Sequence, residues 1–385
     1  EDIQELYEAI EKAKAVTDKP SLITLRTIIG WPSPKKQNTG KIHGSALGAE
    51  ELAGLKTALG FDPEKTFDVA PEVIEHTRTN SKNRAEQNRS AWQTKFDAWA
   101  SANPEKKALF DRVQSGLAPE NIAEVIPTFE SGTEVSTRSA SGKVINAIAK
   151  VMPELWGGSA DLAESNNTTI EGAKSFVPSE WSTHEWSGDQ YGRVLHFGIR
   201  EHAMGSILNG ITLSGLTKAF GGTFLMFADY MRSSVRLAAL MDIPTTFVWT
   251  HDSIGVGEDG PTHQPVENTS GLRYIPRMDV WRPADSTETA VAWVSAVERK
   301  DGPSSLVLSR QNVPGIKHDT AHFDLIRKGG YVFSDVAGKA DVIIIANGSE
   351  LDLAIKAAAE LNAAGTKVRV VSMPSTNVFD RQPQA

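Results

Sequence analysis

Short apolar runs alternate with longer amphipathic segments along most of this sequence. That alternation restricts the chain to an α/β architecture with mostly parallel sheets flanked by helices. The runs are Ser21 to Ile29, Trp156 to Leu162, Leu195 to Ile199, Thr245 to Thr250, Ser305 to Ser309, Asp341 to Ala346 and Lys367 to Ser372. Each is read as a buried strand or a strand end. Helical spacing marks residues 2–16, which Pro20 stops, Lys143 to Met152, and Glu350 to Asn362. It also marks the segment from Glu201, where Met204, Ile207, Leu208 and Ile211 share one face. Phe220 to Tyr230 is read as opening a further helix that continues to Met241.

Between Glu50 and Pro127 the pattern is helical. Trp92, Phe96 and Trp99 fall at offsets of four and three, an aromatic stripe read as core. Asn103-Pro104-Glu105 supplies a capping residue, a proline at the first helical position and an acid in the first turn, so a new helix starts there. Thr128 to Gly142 is polar and read as a loop-rich domain boundary. A chain of 385 residues has room for about two to three domains. Glu1 already lies inside an amphipathic pattern and Ala385 follows directly on an αβ unit, so both ends are read as cuts through a larger protein.

Composition narrows the partners. Forty basic against 48 acidic residues leave a net charge of -8, with no long basic run, which points away from nucleic acid and anionic membranes. Cysteine is absent, which excludes disulfides and a thiol nucleophile and suits a cytoplasmic protein. No apolar run approaches a membrane span.

Chemistry concentrates in a few places. Glu201 stands at a strand-to-helix turn, where ligands collect in open parallel sheets; an acid placed there by the helix macrodipole is the simpler alternative. His251, Asp252, Glu258, Asp259 and His263 crowd the loop after the Thr245 strand, with Gly255, Gly257 and Gly260 between them. Their spacing matches no standard metal-ligand pattern, and a polar pocket for hydroxyl and carbonyl oxygens is the better reading. His43, in a loop flanked by glycines, either approaches a ligand or is merely solvated. Arg138 and Arg310 each follow a segment that ends at the expected ligand face; each is either a phosphate fork or an ordinary surface ion pair.

Taken together, GSADLAESN (158–166), FGIREHAMG (197–205), GGTFLMFADYMR (221–232), THDSIGVGEDGPTHQPVE (250–267) and LSRQN (308–312) resemble transketolase, in the same order and with similar spacing. TIIG followed by Lys41-Ile42-His43-Gly44, and GGYV (329–332) leading to SMPST (372–376), resemble the same family, so the likeness covers essentially the whole chain. The resemblance implies a thiamine-diphosphate-binding fold and a homodimer whose active site lies at the subunit interface. On that template residues 1–127 are the end of the diphosphate-binding domain with its following helices, 128–328 the pyrimidine-binding domain, and 329–385 the start of the C-terminal α/β domain.

Site residues follow from the resemblance position by position. Glu201 is implied to hydrogen-bond N1′ of the aminopyrimidine, while Phe224, Phe227 and Tyr230 hold that ring. Asp161 and Leu162 are implied to line the cofactor cleft. His43, His251, Asp259 and His263 are implied around the reacting sugar carbons, with His43 also at the cofactor and His43 and His263 in catalytic roles. Arg138, Ser165, His251 and Arg310 are implied to hold the sugar, chiefly its phosphate end. The implied reaction moves a two-carbon ketol unit from a ketose phosphate to an aldose phosphate, in the pentose phosphate pathway.

Two departures stand out. The family's Gly-Asp-Gly stretch with its downstream Asn is missing, and neither Asp259-Gly260 nor Asp301-Gly302 replaces it, so the ligands of Mg2+ (or Ca2+) are expected outside this segment. Leu216-Thr217-Lys218-Ala219 stands where relatives show a proline-containing turn. Dihydroxyacetone synthase, deoxyxylulose-phosphate synthase and a catalytically silent interaction module on the same fold are the alternatives.

Overall fold

A computed structural model describes residues 2–318 and 320–383. Glu1 and Ala385, where the sequence is read as cut, lie outside the described residues. The chain divides into two compact units, Glu1–Trp99 and Ala100–Ala385.

The first unit is helical. Helix α1 (Ile3–Ala15) is capped by Asp2, whose carboxylate accepts from the backbone of Gln4 and Glu5, and carries Lys12 and Lys14 in its last turn, where they suit the macrodipole. Helix α2 (Ala49–Ala58) buries Glu51, which accepts from the Ser33 hydroxyl and from the backbone N–H groups of Lys35 (2.8 Å) and Lys36 (3.1 Å). Helix α3 (Pro71–Ala102) begins in this unit, and the division falls in its last turn. Two expectations fail here. Ser21 to Ile29 is not a buried strand: its backbone has no strand pairing, and Leu22, Leu25, Ile28 and Ile29 are exposed. A strand exists only through a neighbour's hydrogen bonds, and this unit has no other strand among the described residues. The Trp92-Phe96-Trp99 stripe is not core either. Its rings stack on one another, at 4.8 Å and then 5.6 Å, but Trp92 is exposed and α3 buries no residue.

The second unit opens with α4 (Pro104–Gln114), with Asn103 at its cap position and Pro104 in its first turn as expected. Strand β1 (Glu134–Val135) and helix α5 (Thr137–Val151) follow. Residues 137–142, expected as loop, are instead the first turns of α5, and Thr137, Ala140, Ser141 and Gly142 are buried. Their polarity is absorbed internally. The Thr137 hydroxyl accepts from the Ser309 N–H, Ser309 Oγ accepts from the Thr137 N–H, and Ser141 Oγ accepts from the Trp293 indole.

Six parallel strands form the main sheet. They are β2 (Leu155–Ser159), β3 (Val194–His196), β4 (Lys218–Phe224), β5 (Thr246–Thr250), β6 (Asp279–Trp281) and β7 (Ser304–Val307), in the spatial order β3-β2-β4-β5-β7-β6. The helices between them are α6 (Ala163–Asn166), α7 (Glu201–Leu213), α8 (Ala228–Leu240), α9 (Asn268–Arg273) and α10 (Ser286–Glu298). Both sheet faces are covered, and the period of two sorts the strand residues between them. Phe220, Val248 and Leu306 face a core built on α5 and α10, where Trp293 meets Phe220 edge-on at 5.7 Å. Phe247, Trp249 and Val307 face the other core with Met204, Leu208, Met231 and Val235 from α7 and α8. Ile207, expected on the buried face of α7, is exposed.

Phe220 to Phe224, expected to start a helix, is strand. Gly221 leaves the space that Leu208 and Met204 of α7 fill, so the pair of glycines admits close packing. In β2 a methyl added at Gly158 would fall inside the van der Waals shell of the Leu195 carbonyl oxygen. Gly158→Ala is expected to destabilise the protein by about 1–3 kcal/mol. Chemical denaturation reads this as a lower midpoint, and an unchanged midpoint would show that β2 and β3 have room to spare.

The chain then runs through β8 (Val313–Pro314), which pairs with β1, and α11 (Thr320–Ile326). It ends in a second sheet of β9 (Tyr331–Ser334), β10 (Val342–Ala346) and β11 (Val368–Ser372), with α12 (Glu350–Ala363) between the last two and α13 (Thr376–Phe379) after them. β10 and β11 are parallel, and β9 is antiparallel to β11. This is the expected α/β organisation with a second αβ unit at the end.

Candidate active site

The spatial order of the main sheet reverses at β2. The chain steps from β2 to β3 on one side and then to β4 on the other, and crevices at such reversals open at the carboxyl ends of strands. The candidate side chains come from the carboxyl ends of five strands: Asp161 and Leu162 after β2, Glu201 after β3, Phe224 at the end of β4, His251 after β5 and Arg310 after β7. Arg138 joins them because its neighbour Thr137 is hydrogen-bonded to Ser309, just after β7, which brings the first turn of α5 to the same edge. Its Nη1 donates to the Ser165 carbonyl at 2.5 Å, while its buried Nε has no partner.

Two backbone positions at this edge are held in the left-handed region, Asp161 at φ 62° and His251 at φ 60°. Each such non-glycine residue costs about 1–3 kcal/mol, and strain of this kind gathers at functional sites. Asp161 and Leu162 line a cleft together with His196 and Gly198.

An aromatic column rises from the carboxyl end of β4. Phe224 and Phe227 stack at 5.9 Å, and Phe227 and Tyr230 at 5.8 Å, with ring planes within 8° and 13° of parallel. Phe224 is buried and Tyr230 exposed, so the column leads from the core to the surface. The spacing of three residues produces it, because β4 ends at Phe224 and a short 3-10 turn carries Leu225–Phe227 into α8. His251 lies flat on Phe224 at 3.6 Å, and His263 meets Phe227 edge-on at 5.3 Å.

Glu201 begins α7 with Arg200 at the cap position, and it is buried. No described residue gives its carboxylate a hydrogen bond or an ion pair. Its oxygens are not among the buried unpartnered polar atoms, so the carboxylate is open to a bound group.

Charge gathers at the loop after β5. The Arg138 guanidinium is held below its usual range by burial first and then by Arg310, with Asp259 opposing. Burial and then Arg138 hold His251 down to about 4, so its ring is neutral at neutral pH. Arg138, Arg310, Asp259 and His263 all act on that one ring, and two arginines so placed favour an anion between them. Arg310 also meets Glu258 at 3.2 Å at the surface.

The structure therefore groups Arg138, Ser165, His251, Asp259, His263 and Arg310, and sets the aromatic column beside them. His43 lies in the first unit, exposed, just after a short 3-10 turn and before Gly44 at φ 67°. Asp252 leaves the group it shares in sequence, because its side chain turns inward to Arg282 at 2.8 Å. Sequence reasoning missed Asn166 and Thr250, both fully buried and hydrogen-bonded to each other at 2.6 Å across 84 residues. No local signal could have paired them.

Three family models match the chain. The model for the transketolase thiamine diphosphate binding domain covers residues 1–119, that for the transketolase pyrimidine binding domain residues 133–315, and that for the transketolase-like C-terminal domain residues 329–385. The chain is 53% identical over 391 residues to the transketolase of Mycobacterium tuberculosis (strain ATCC 25618 / H37Rv), covering 100% of this chain and 55% of that protein. It is 43% identical over 387 residues to the transketolase of Geobacillus stearothermophilus, covering 100% of this chain and 56% of that protein. The transketolase of Pichia stipitis in complex with sedoheptulose-7-phosphate superposes with a TM-score of 0.89 at 42% identity, over 100% of this chain and 56% of its own. The chain thus spans little more than half the length of the relatives it matches.

Proposed function

Because the chain belongs to the transketolase family, we propose that the full-length protein carrying it transfers a two-carbon ketol unit from a ketose phosphate to an aldose phosphate. The observation that carries this reading is the meeting of two arginines, two histidines and Asp259 beside an aromatic column, at the sheet edge where Glu201 stands. A ketol-transfer assay of the full-length protein, with a ketose phosphate donor and an aldose phosphate acceptor, tests it directly. Absence of transfer in the presence of thiamine diphosphate and magnesium would overturn it.

Thiamine diphosphate fits the residues present. The column of Phe224, Phe227 and Tyr230 suits an aromatic pyrimidine, and the unpartnered Glu201 carboxylate suits a ring nitrogen that takes its proton. When bound, the cofactor supplies the carbanion chemistry that no amino-acid side chain offers. The protein's part is to position and polarise. Glu201 would hold the pyrimidine N1′ by a hydrogen bond, Asp161 and Leu162 would wall the cleft, and His251 would contact the sugar. His263 handles protons around the reacting carbons, and the family resemblance gives His43 a catalytic role of the same kind in the full-length protein. Arg138, Ser165 and Arg310 hold the far end of the sugar, and the likeness to a relative solved with sedoheptulose-7-phosphate supports a phosphate there.

The family's Gly-Asp-Gly stretch with its downstream Asn is missing from this sequence, so we assign the ligands of Mg2+ or Ca2+ to the rest of the full-length protein. We assign the activity to a cytoplasmic homodimer with the site completed at the subunit interface, in the pentose phosphate pathway. The exposed apolar residues Ile207 on α7 and Leu237 and Leu240 on α8 support such an interface. Sedimentation of the full-length protein as a monomer under assay conditions would count against it.

The phosphate assignment makes a separate prediction. Losing one charge-assisted contact is worth about 1.5–3 kcal/mol, so Arg310→Ala should raise KM for a phosphorylated donor roughly ten- to a hundredfold. An unphosphorylated ketose should be affected much less. Equal loss on both donors would move Arg310 out of the phosphate site.

A further inference from the structure

The amino-terminal edge of the main sheet, opposite the candidate active site, holds a cavity of about 290 Å³. Its walls come from the end of α4 and from the segments that lead into the strands: Val113 and Leu117, Glu154 before β2, Thr217 and Lys218 at β4, Pro244 before β5 and Lys300 before β7. Ligand sites run from about 300 to 1,000 Å³, so this space suits a small molecule.

The charge around it is unbalanced. Glu154 is the one carboxylate lining the cavity among the described residues, and Arg112 takes both of its oxygens, with Nη1 at 2.6 Å and Nη2 at 3.0 Å. No described residue gives Lys218 or Lys300 an ion pair. Lys218 Nζ donates to the Arg299 carbonyl at 3.0 Å, and Lys300 Nζ to the Ser115 carbonyl at 3.1 Å. An ammonium group has three protons, so each lysine keeps two for a ligand. The Arg299 guanidinium does not compete, because it turns to Asp279 at 3.0 Å and Asp301 at 3.1 Å. Burial first and then Lys300 hold Lys218 down to about 8, with Glu154 opposing. What Lys218 lacks is a counter-ion.

We propose that this cavity is a second anion site, in which Lys218 and Lys300 hold the phosphate of a small ligand. Two ammonium groups match a dianion better than a singly charged carboxylate. Val113, Leu117 and Pro244 add apolar wall for a short carbon body. Lys218 lies in Leu216-Thr217-Lys218-Ala219, where the sequence departs from the family's proline-containing turn, so the site belongs to this chain's own residues. None of them takes part in the ketol-transfer reading, and the site stands or falls without it.

Selenate, an anomalous scatterer with the shape and charge of a phosphate dianion, is the first probe. Crystals of the full-length protein soaked in it should show a peak within hydrogen-bond distance of both lysine nitrogens. Arg310→Ala, at the opposite edge, should leave that peak in place, and titration calorimetry in that background reads the affinity. Adding Lys218→Met or Lys300→Met should weaken binding roughly ten- to a hundredfold, the worth of a charge-assisted contact. A bound dianion favours the charged lysine, so affinity should also fall about fivefold from pH 8 to pH 9, and Lys218→Met should remove that dependence. Inorganic phosphate and glycerol 1-phosphate, titrated side by side, tell a free phosphate from a phosphate ester, and tighter binding of either supports the site. The absence of a selenate peak at the two lysines overturns the proposal. A peak with unchanged affinity in both methionine variants marks an adventitious ion only and overturns it as well. If Lys218→Met does not fold, Lys300→Met, at an exposed position, and the parent's map still decide.

Discussion

Glu201→Gln in the full-length protein should lower kcat for ketol transfer by about 10²–10⁴-fold, the usual worth of a positioned proton-transfer group. KM for the sugar should stay within a few-fold, because the carboxylate is assigned to the cofactor and not to the substrate. The same substitution should leave the protein about as stable as before. Glu201 is buried, and no described residue gives it a hydrogen bond or an ion pair. A neutral amide of the same shape therefore breaks no contact within the protein. Loss of activity together with an unchanged melting temperature separates a chemical role from a structural one. Retained activity would return Glu201 to the simpler status of an acid at a helix start.

Arg282→Met should give the largest loss of stability, about 3–5 kcal/mol, because it leaves a buried carboxylate without its counter-charge. Arg282 Nε donates to Asp252 at 2.8 Å, and its Nη1 donates to the Asn347 carbonyl at 2.8 Å and to Glu350 at 2.5 Å. It follows β6, and Glu350 starts α12, so one guanidinium ties the main sheet and the site loop to the second sheet. Burial already pushes the Asp252 carboxyl up, against the pull of Arg282. Without the arginine it should rise further above its unfolded value. The folded variant then binds more protons than the unfolded chain, so its stability falls as pH rises and its deficit against the parent narrows as pH falls. Asp252→Asn combined with Arg282→Met should recover much of the loss. A single variant as stable as the parent at neutral pH would show that Asp252 is not the burden it is taken to be.

Asp252 also shows how far the sequence could be read. In sequence it is one of five polar residues crowding a glycine-rich loop; in space His251, Asp259 and His263 stay at the site and Asp252 is buried against Arg282. Neighbours along a loop can face opposite ways, and only the packing of distant elements decides which way each faces. The same holds for the errors in secondary structure. Residues 137–142 read as loop because they are polar, yet they form a buried helix start, since Ser309 and Trp293 take up the hydroxyls. Phe220 to Phe224 read as helix because apolar residues cluster there, yet it is a strand, since α7 presses against Gly221.

What the sequence determined by itself was the alternation of strands and helices, hence the parallel sheet, and the identity of the motifs at its carboxyl edge. Both are local: burial imposes a period on neighbouring residues, and a motif keeps its residues in order. Tertiary structure alone decided which of those residues meet. Asn166 reaches Thr250 across 84 positions, and Arg138 comes within electrostatic range of Arg310 because Thr137 meets Ser309 across 172 positions. Closing six strands into one sheet gathers their carboxyl ends, and with them the first turn of α5, at a single edge. No periodicity in the chain encodes that meeting.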